Sequence, residues 1–427
     1  RASIYFRVRT VVAAGGGCCH RSSESQVEGG AMSFLKSLRL DRFLSFPPDS
    51  PAIELKSLNV LVGANGSGKS NVIEAIELLR ATPTGFASAI RDGGGASEWL
   101  WKGESGVHPA EIEAIICGNG DSRDLRYRLQ FQASGHRTEV IDESLEEADK
   151  RHPSEKDVYF FYRFQRGRPV LNVQMDPADR FSRVERHLRR EELIPDESVF
   201  SQRKGAETYP EITRLGRQFE EIQTFREWSF GRYATVRRPQ PATSSGAALA
   251  ADCANLGLFL NGLEHSSVIP HFNSLLRRFL PRYQRFSTRI TGGKVQLYLH
   301  EDGLSTPVSA TRLSDGTIRF MALLAVLLNP APPPLICIEE PELGLHPDAV
   351  AILAQLLVDA SRRTQLIVTT HSDILISGLS ENSDSVLVCD YAGGTRLERV
   401  DPDRLEDWLS QYRLGEIWRI GELGGNP

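Results

Sequence analysis

Three short apolar runs punctuate the chain: Leu58-Asn59-Val60-Leu61-Val62, Leu335-Ile336-Cys337-Ile338 and Leu366-Ile367-Val368. They are nearly continuous rather than alternating, the pattern of strands buried on both faces. The first leads through a glycine-rich turn into Asn71-Val72-Ile73-Glu74-Ala75-Ile76-Glu77-Leu78-Leu79, whose apolar spacing predicts a helix. A different pattern fills 110–116 and 125–131, where apolar and polar residues alternate and predict antiparallel strands beside the first unit. Upstream, Ser37-Leu38-Arg39-Leu40 and Asp41-Arg42-Phe43-Leu44-Ser45-Phe46 read as two short strands, with Pro47-Pro48 as a turn. Helical patterns return at 256–260, at Phe272, Leu275, Leu276 and Phe279, and at 318–328, and Gly292-Gly293 marks a hairpin. No internal repeat is present. The expected class is α/β.

The turn after the first run carries chemistry. Gly63-Ala64-Asn65-Gly66-Ser67-Gly68-Lys69-Ser70 fits G-x-x-x-x-G-K-[ST] without mismatch, between a strand and a helix. Its glycines let backbone N–H groups turn inward on phosphates, and the helix N-terminus adds positive potential. Gly63 through Asn71 are therefore the expected nucleotide cradle, with Lys69 on the β- and γ-phosphates and the Ser70 hydroxyl on Mg²⁺. A chance glycine-rich turn is the bland alternative, and the partner motifs downstream weigh against it.

Hydrolysis needs carboxylates as well. The second run ends in Glu339-Glu340, at the edge where open α/β sheets place ligands. Glu339 is expected in the metal shell and Glu340 as general base or water-orienting group. The third run ends at Thr369-Thr370-His371, where neutral imidazole can hydrogen-bond a γ-phosphate or the attacking water. Without the other motifs, a histidine that merely caps the strand is the better reading. Leu313-Ser314-Asp315-Gly316-Thr317 precedes the apolar helix; Ser314 is a good N-cap, and the free N–H groups make a second anion site.

Composition narrows the picture only slightly. The 427 residues allow two or three domains, and the net charge of −5 decides nothing about nucleic acid. No run of eighteen apolar residues predicts a membrane span. Six scattered cysteines, without C-x-x-C pairs or zinc spacing, suit a reducing cytosol and a cytoplasmic protein. Residues 1–31 precede Met32 and resemble neither core nor signal peptide, so Met32 is the expected start and the rest a mis-called or disordered extension. Residues 32–175 and 251–400 are expected to form the two parts of an ATPase head, with a tail at 401–427. Between them, 176–250 is expected to be a mostly helical insertion ending in a Pro/Ser/Gly-rich linker, because arginines recur at Arg180, Arg183, Arg186, Arg189 and Arg190.

The order of cradle, Leu313–Thr317, Glu339-Glu340 and His371 resembles the ABC-type ATPase head. It is most similar to stand-alone AAA_21-type ATPases, relatives of the RecF-like, SMC and overcoming-lysogenisation-defect ATPases. Glu340-Pro341-Glu342-Leu343-Gly344-Leu345-His346-Pro347 is distinctive of that branch, and Glu227–Tyr233 and the stretch from Leu414 to Asn426 also look like it. The resemblance implies a P-loop NTPase with a mixed central sheet flanked by helices, an antiparallel β lobe and a helical insertion. It implies ATP and Mg²⁺ as cofactors and a head-to-tail homodimer in which Ser314 and the Gly316 N–H reach the γ-phosphate across the interface. Asp315 and Thr317 depart from the usual signature residues, and Asp315 is expected to point away from phosphate. Glu339 stands where aspartate is more usual. Arg42 and Phe43 match a position that contacts phosphate or adenine. For the metal-sensing glutamine the candidate is Gln202, with Gln130 and Gln132 as rivals.

The function so implied is an ATP-gated, dimerising ATPase switch serving DNA maintenance or anti-phage defence. No fused nuclease is expected after the His371 unit, so the effector, a nuclease among the candidates, would be a separate protein. The alternatives are a transporter-energising subunit and a non-hydrolysing nucleotide-binding scaffold. A nucleic-acid contact is also open, because Arg277, Arg278, Arg282, Arg285 and Arg289 lie among Phe279, Tyr283 and Phe286. The competing reading of that stretch is the wet face of an amphipathic helix running into a strand.

Overall fold

A computed structural model describes residues 33–424, apart from 107, 119, 121, 136, 166–167, 176–182, 244–245 and 247. The extension expected at 1–31, together with Arg180 and Gly425-Asn426, lies outside the described residues. The described chain opens with β1 (Leu35–Asp41) and β2 (Ile53–Glu54), paired antiparallel, and then sends β3 (Leu58–Val62) into a different sheet. β4 (Ala110–Ile116), β5 (Leu125–Ser134), β6 (Arg137–Glu147), β7 (Phe160–Gln165), β8 (Arg168–Gln174) and β9 (Arg183–His187) extend the first sheet to eight strands, in the order β2-β1-β4-β5-β6-β7-β8-β9. This is the antiparallel lobe.

β10 (Gln223–Phe225) returns the chain to the central sheet. β11 (Gln240–Pro241), β12 (Tyr283–Thr291), β13 (Lys294–Glu301) and β14 (Val308–Ser309) then form a small antiparallel sheet. β15 (Leu335–Glu339), β16 (Gln365–Thr370), β17 (Val386–Tyr391) and β18 (Thr395–Arg399) complete the central sheet, ordered β10-β15-β16-β3-β17-β18. Its first five strands are parallel and β18 is an antiparallel edge.

Successive residues of the parallel strands feed opposite cores, as the two-residue pleat requires. Val60, Ile336, Ile338, Leu366 and Val368 join one core, which also takes the helices Asp315–Leu327 and Pro347–Ala360. Leu61, Leu335, Cys337 and Ile367 join the other, shared with the helix Lys69–Ala81 and the lobe. Burial on both faces is why these strands read as nearly unbroken apolar runs.

Three expectations need correction. The first strand ends at Asp41, and its partner is Ile53–Glu54 rather than 41–46. Arg42 and Leu44 have φ of 51° and 49°, which folds 43–46 into a tight bridged turn instead. The segment 176–250 is mixed rather than mostly helical: its longest described helix is Pro210–Glu220, and Arg183–His187 is a strand. Of the recurring arginines, Arg183 and Arg186 lie on this strand, the edge of the lobe, where charge blocks further pairing. Residues 401–424 are not a loose tail. Leu414, Ile417 and Trp418 are buried, and Gly415 lies so close to the Asp373 carbonyl that a Cβ would stand 2.0 Å from it. Among the described residues, no helix is long and apolar enough to cross a membrane.

Candidate nucleotide-hydrolysis site

The carboxyl ends of four neighbouring parallel strands carry the chemistry. β3 runs into the glycine loop, β15 into Glu339-Glu340, β16 into His371 and β10 into Arg226. The loop depends on glycine at both ends. Gly63 (φ 153°) approaches the Cys389 carbonyl so closely that a Cβ would lie 2.1 Å from it, and Gly68 (φ 100°) leaves only 2.0 Å to Thr395 Oγ1. The loop is pinned from β17 and β18 and from the turn after β1. Thr395 Oγ1 donates to the Ser67 carbonyl at 2.8 Å and meets Ser45 Oγ at 2.6 Å, while Asn71 Nδ2 donates to Ser45 Oγ at 2.6 Å.

Lys69 Nζ donates to the Gly63 and Ala64 carbonyls at 2.8 Å each, inside the loop. Burial lowers its pKa, partly offset by Cys389, Glu340 and Glu339. Ser67 Oγ is buried without a hydrogen-bond partner, a hydroxyl left open inside the cradle. Ser70 Oγ donates to Glu339 Oε1. Glu340 adopts a left-handed φ of 44°, and its backbone N–H donates to the Thr369 carbonyl at 3.0 Å. That backbone reversal sets its carboxylate 3.5 Å from His371 Nε2. Burial, then Lys69, lowers the His371 pKa, so the imidazole is neutral near neutral pH. Glu342 holds this corner by accepting from His371 N at 2.9 Å and Thr370 Oγ1 at 2.6 Å.

The predicted residues Lys69, Ser70, Glu339, Glu340 and His371 are thus brought together, and Gly63 through Gly68 form one loop that leads into the helix opened by Lys69, Ser70 and Asn71. Among the described residues, no group of three or more histidine, cysteine or acidic side chains could hold an ion unaided. An ion held mainly by phosphate and water needs only one or two protein oxygens, and the Ser70 and Glu339 side chains could provide them.

The signature loop is held apart from these contacts. Ser314 Oγ accepts from Thr317 N at 3.1 Å and caps its own helix. Asp315, expected to turn from phosphate, is paired with the buried guanidinium of Arg237, which also donates to the carbonyls of Phe230 (2.8 Å), Ala310 (3.0 Å) and Leu313 (2.6 Å). Gly316 abuts the Gly344 carbonyl, 2.9 Å from a built Cβ, and Arg319 donates to the Leu343 carbonyl. Signature helix and the loop after Glu340 are therefore tied together within one chain.

Several candidates are displaced. Gln202 sits in the lobe, with its amide bound to Ile194 and to the Glu197 carbonyl at 2.8 Å, and it does not meet Glu339. Its rivals are lobe residues too: Gln130 donates to Glu111, and Gln132 is paired with Glu139 across β5 and β6. Phe43 is fully buried against Trp99, 5.9 Å between ring centres, and cannot stack on a base. Arg42 pairs with Asp41 at 2.8 Å and Glu104 at 3.3 Å. A cleft of about 570 Å³ opens instead beside Asn71 and Ser45, lined by Leu44, Leu100, Trp101 and Tyr391. In the basic stretch, Tyr283 and Phe286 are core residues and Phe279 packs on Phe320 at 4.8 Å, so these rings cannot stack on bases.

Sequence reading missed Arg226, Arg237, Ser45 and Thr395. Arg226 follows a strand too short to read, and the other three act across long sequence separations. Only the resemblance of Glu227–Tyr233, which begins just after Arg226, pointed near it.

The model of the AAA_21 family, described as "AAA domain, putative AbiEii toxin, Type IV TA system", matches residues 58–377. The chain belongs to this family. Membership implies ATPase activity. Among solved structures, this AAA_21 protein is similar in fold to an SMC head bound to the C-terminal winged-helix domain of ScpA. The TM-score is 0.55 at 14% identity, covering 87% of this chain and 99% of that one. An SMC head with an extended coiled coil from Pyrococcus furiosus, bound to the C-terminal domain of ScpA, gives a TM-score of 0.54 at 13% identity, over 88% and 99% of the two chains. A comparison with curated proteins gave no match.

Proposed function

We propose that this AAA_21 protein is an ATP-gated switch that binds and hydrolyses ATP with Mg²⁺ and closes as a head-to-tail homodimer. One observation carries the reading: Lys69, the Ser70–Glu339 pair and the Glu340–His371 pair meet at the carboxyl ends of adjacent parallel strands. Lys69 would leave its two loop carbonyls for phosphate oxygens, and Ser67 Oγ would gain its missing partner. Mg²⁺, held by Ser70 and Glu339, would neutralise phosphate charge. Glu340 would take a proton from the attacking water, and neutral His371 beside it would orient that water. The cleft at Trp101 and Tyr391 would seat the base.

Ser314 and Gly316 make no bond to their own cradle, which supports their use by a second copy. Arg237 neutralises Asp315, so the signature loop can approach phosphate without the penalty its sequence implies. The switch would serve DNA maintenance or defence through a separate effector, a nuclease among the candidates. Family membership supports this role, and a docked protein partner has a counterpart in the ScpA domain bound to the SMC heads.

Glu340→Gln tests the reading. The variant should bind ATP like wild type, turn over about 10²–10⁴ times more slowly and accumulate as an ATP-dependent dimer in light scattering. Equal turnover in the two proteins would remove Glu340 from the chemistry.

A further inference from the structure

Arg226 lies at the carboxyl end of β10, the outermost of the four parallel strands that meet at the site. It follows β10, which runs parallel to β15, with Phe225 in register with Ile338. Its guanidinium reaches three carboxylates at once: Nε donates to Glu339 Oε2 at 2.9 Å, Nη1 to Glu77 Oε2 at 2.8 Å and Nη2 to Glu74 Oε1 at 3.1 Å. Glu339 Oε1, its other oxygen, accepts from Ser70. All four side chains of the arginine cluster are only partly exposed. Although burial opposes its charge, the bonds to Glu339 and Glu77 raise the Arg226 pKa, so it stays cationic.

Two consequences follow from this geometry. Glu74 and Glu77 lie on the first helix after the cradle, one turn apart, and with Glu339 they gather three negative charges around one guanidinium, one of them the carboxylate that Ser70 meets. Their summed negative potential favours a cation at the Ser70–Glu339 pair, and the arginine opposes it. Arg226 cancels part of that charge, and it does so through a fork that also fixes the direction of the Glu339 carboxylate.

We infer that Arg226 is a positioning residue and an internal counter-cation: it orients Glu339 and sets how much Mg²⁺ the site needs, so that the cation enters only with a nucleotide. The inference rests on the nucleotide reading given above.

The test titrates Mg²⁺ while following binding of ATP carrying a fluorescent ribose label, in wild type, Arg226→Met, Arg226→Lys and Glu74→Gln/Glu77→Gln. Removing one positive charge a few ångströms from a divalent ion should lower the half-saturating Mg²⁺ at least about threefold in Arg226→Met. Turnover in that variant should fall, because Glu339 loses its anchor. Arg226→Lys keeps the charge and should keep the wild-type Mg²⁺ requirement. The double glutamine variant, which retains the arginine, should raise it by a similar factor of about three. A purely structural arginine would leave the Mg²⁺ requirement of Arg226→Met unmoved. A folded Arg226→Met with an unchanged or higher requirement, or a double variant that matches wild type, overturns the inference. If Arg226→Met does not fold, Arg226→Gln, which also removes the charge, takes its place and is read the same way. Wild-type protein that binds no labelled ATP at any Mg²⁺ concentration refutes the nucleotide reading itself and this inference with it, whereas normal wild-type binding with unshifted variants defeats only the role of Arg226.

Discussion

Glu143 offers a quantitative check on how the lobe is held together. It lies on β6, fully enclosed, and accepts from Tyr127 OH at 2.7 Å, from Ser198 Oγ and from Val199 N at 2.9 Å. No cation faces it among these contacts. Burial pushes its pKa from 4.5 up to about 7, against the opposing pull of Ser198, Tyr127 and Val199. Between those two values the folded state holds a proton that the unfolded chain has released. Stability therefore falls as pH rises through that window and levels off above about 7. The gap between 4.5 and about 7 corresponds to about 3 kcal/mol, lost on going from pH 4.5 to pH 8.

Glu143→Gln should remove most of that loss. The glutamine amide can donate to the two hydroxyl oxygens while its carbonyl accepts from Val199 N, so every group keeps a partner. Urea unfolding at pH 5 and pH 8 measures the effect. The variant should match wild type near pH 5 and exceed it by about 2–3 kcal/mol at pH 8, with ATP binding unaltered. A variant less stable than wild type at pH 8, or a difference that does not change with pH, would show that the three hydrogen bonds outweigh burial and that Glu143 is folded as a carboxylate.

Three further outcomes follow from the site. Trp101→Ala should weaken ATP binding about two- to tenfold in calorimetry and leave inorganic triphosphate unaffected, since ring stacking contributes about 0.5–1.5 kcal/mol; equal losses for both ligands would move the base elsewhere. Arg237→Met should cost about 2–4 kcal/mol in thermal or urea unfolding by orphaning buried carbonyls. It should also abolish ATP-dependent dimerisation in light scattering without changing affinity for ATP, and normal dimerisation would disconnect Asp315 from the interface. Because burial and Lys69 hold the His371 pKa below 6.5, turnover should keep its plateau as pH falls past 6.5 and break only lower; a histidine-dependent break at or above 6.5, absent in His371→Asn, would contradict the neutral-imidazole role.

Much of the candidate site was legible in the sequence because its parts are local. A phosphate loop needs glycines at set positions, a strand buried on both faces needs a nearly continuous apolar run, and the acids and the histidine follow directly on such runs. The α/β class, the antiparallel strands β4 and β5 and the residues Lys69, Ser70, Glu339, Glu340 and His371 came from those short-range constraints. The tertiary structure alone decided what depends on approach between distant segments. Thr395 pins the cradle across more than 300 residues, directly at Ser67 and through Ser45. Arg237 meets Asp315 from 78 residues away, and Arg226 meets Glu339 across 113. Burial overruled residue type in the other direction. Phe43, Tyr283 and Phe286 have the chemistry of a base-stacking surface but are core residues. Gln202 has the chemistry of a metal sensor but spends its amide on a lobe turn. Which polar groups face one another is set by how β3, β10, β15 and β16 lie side by side, and no local pattern encodes that order.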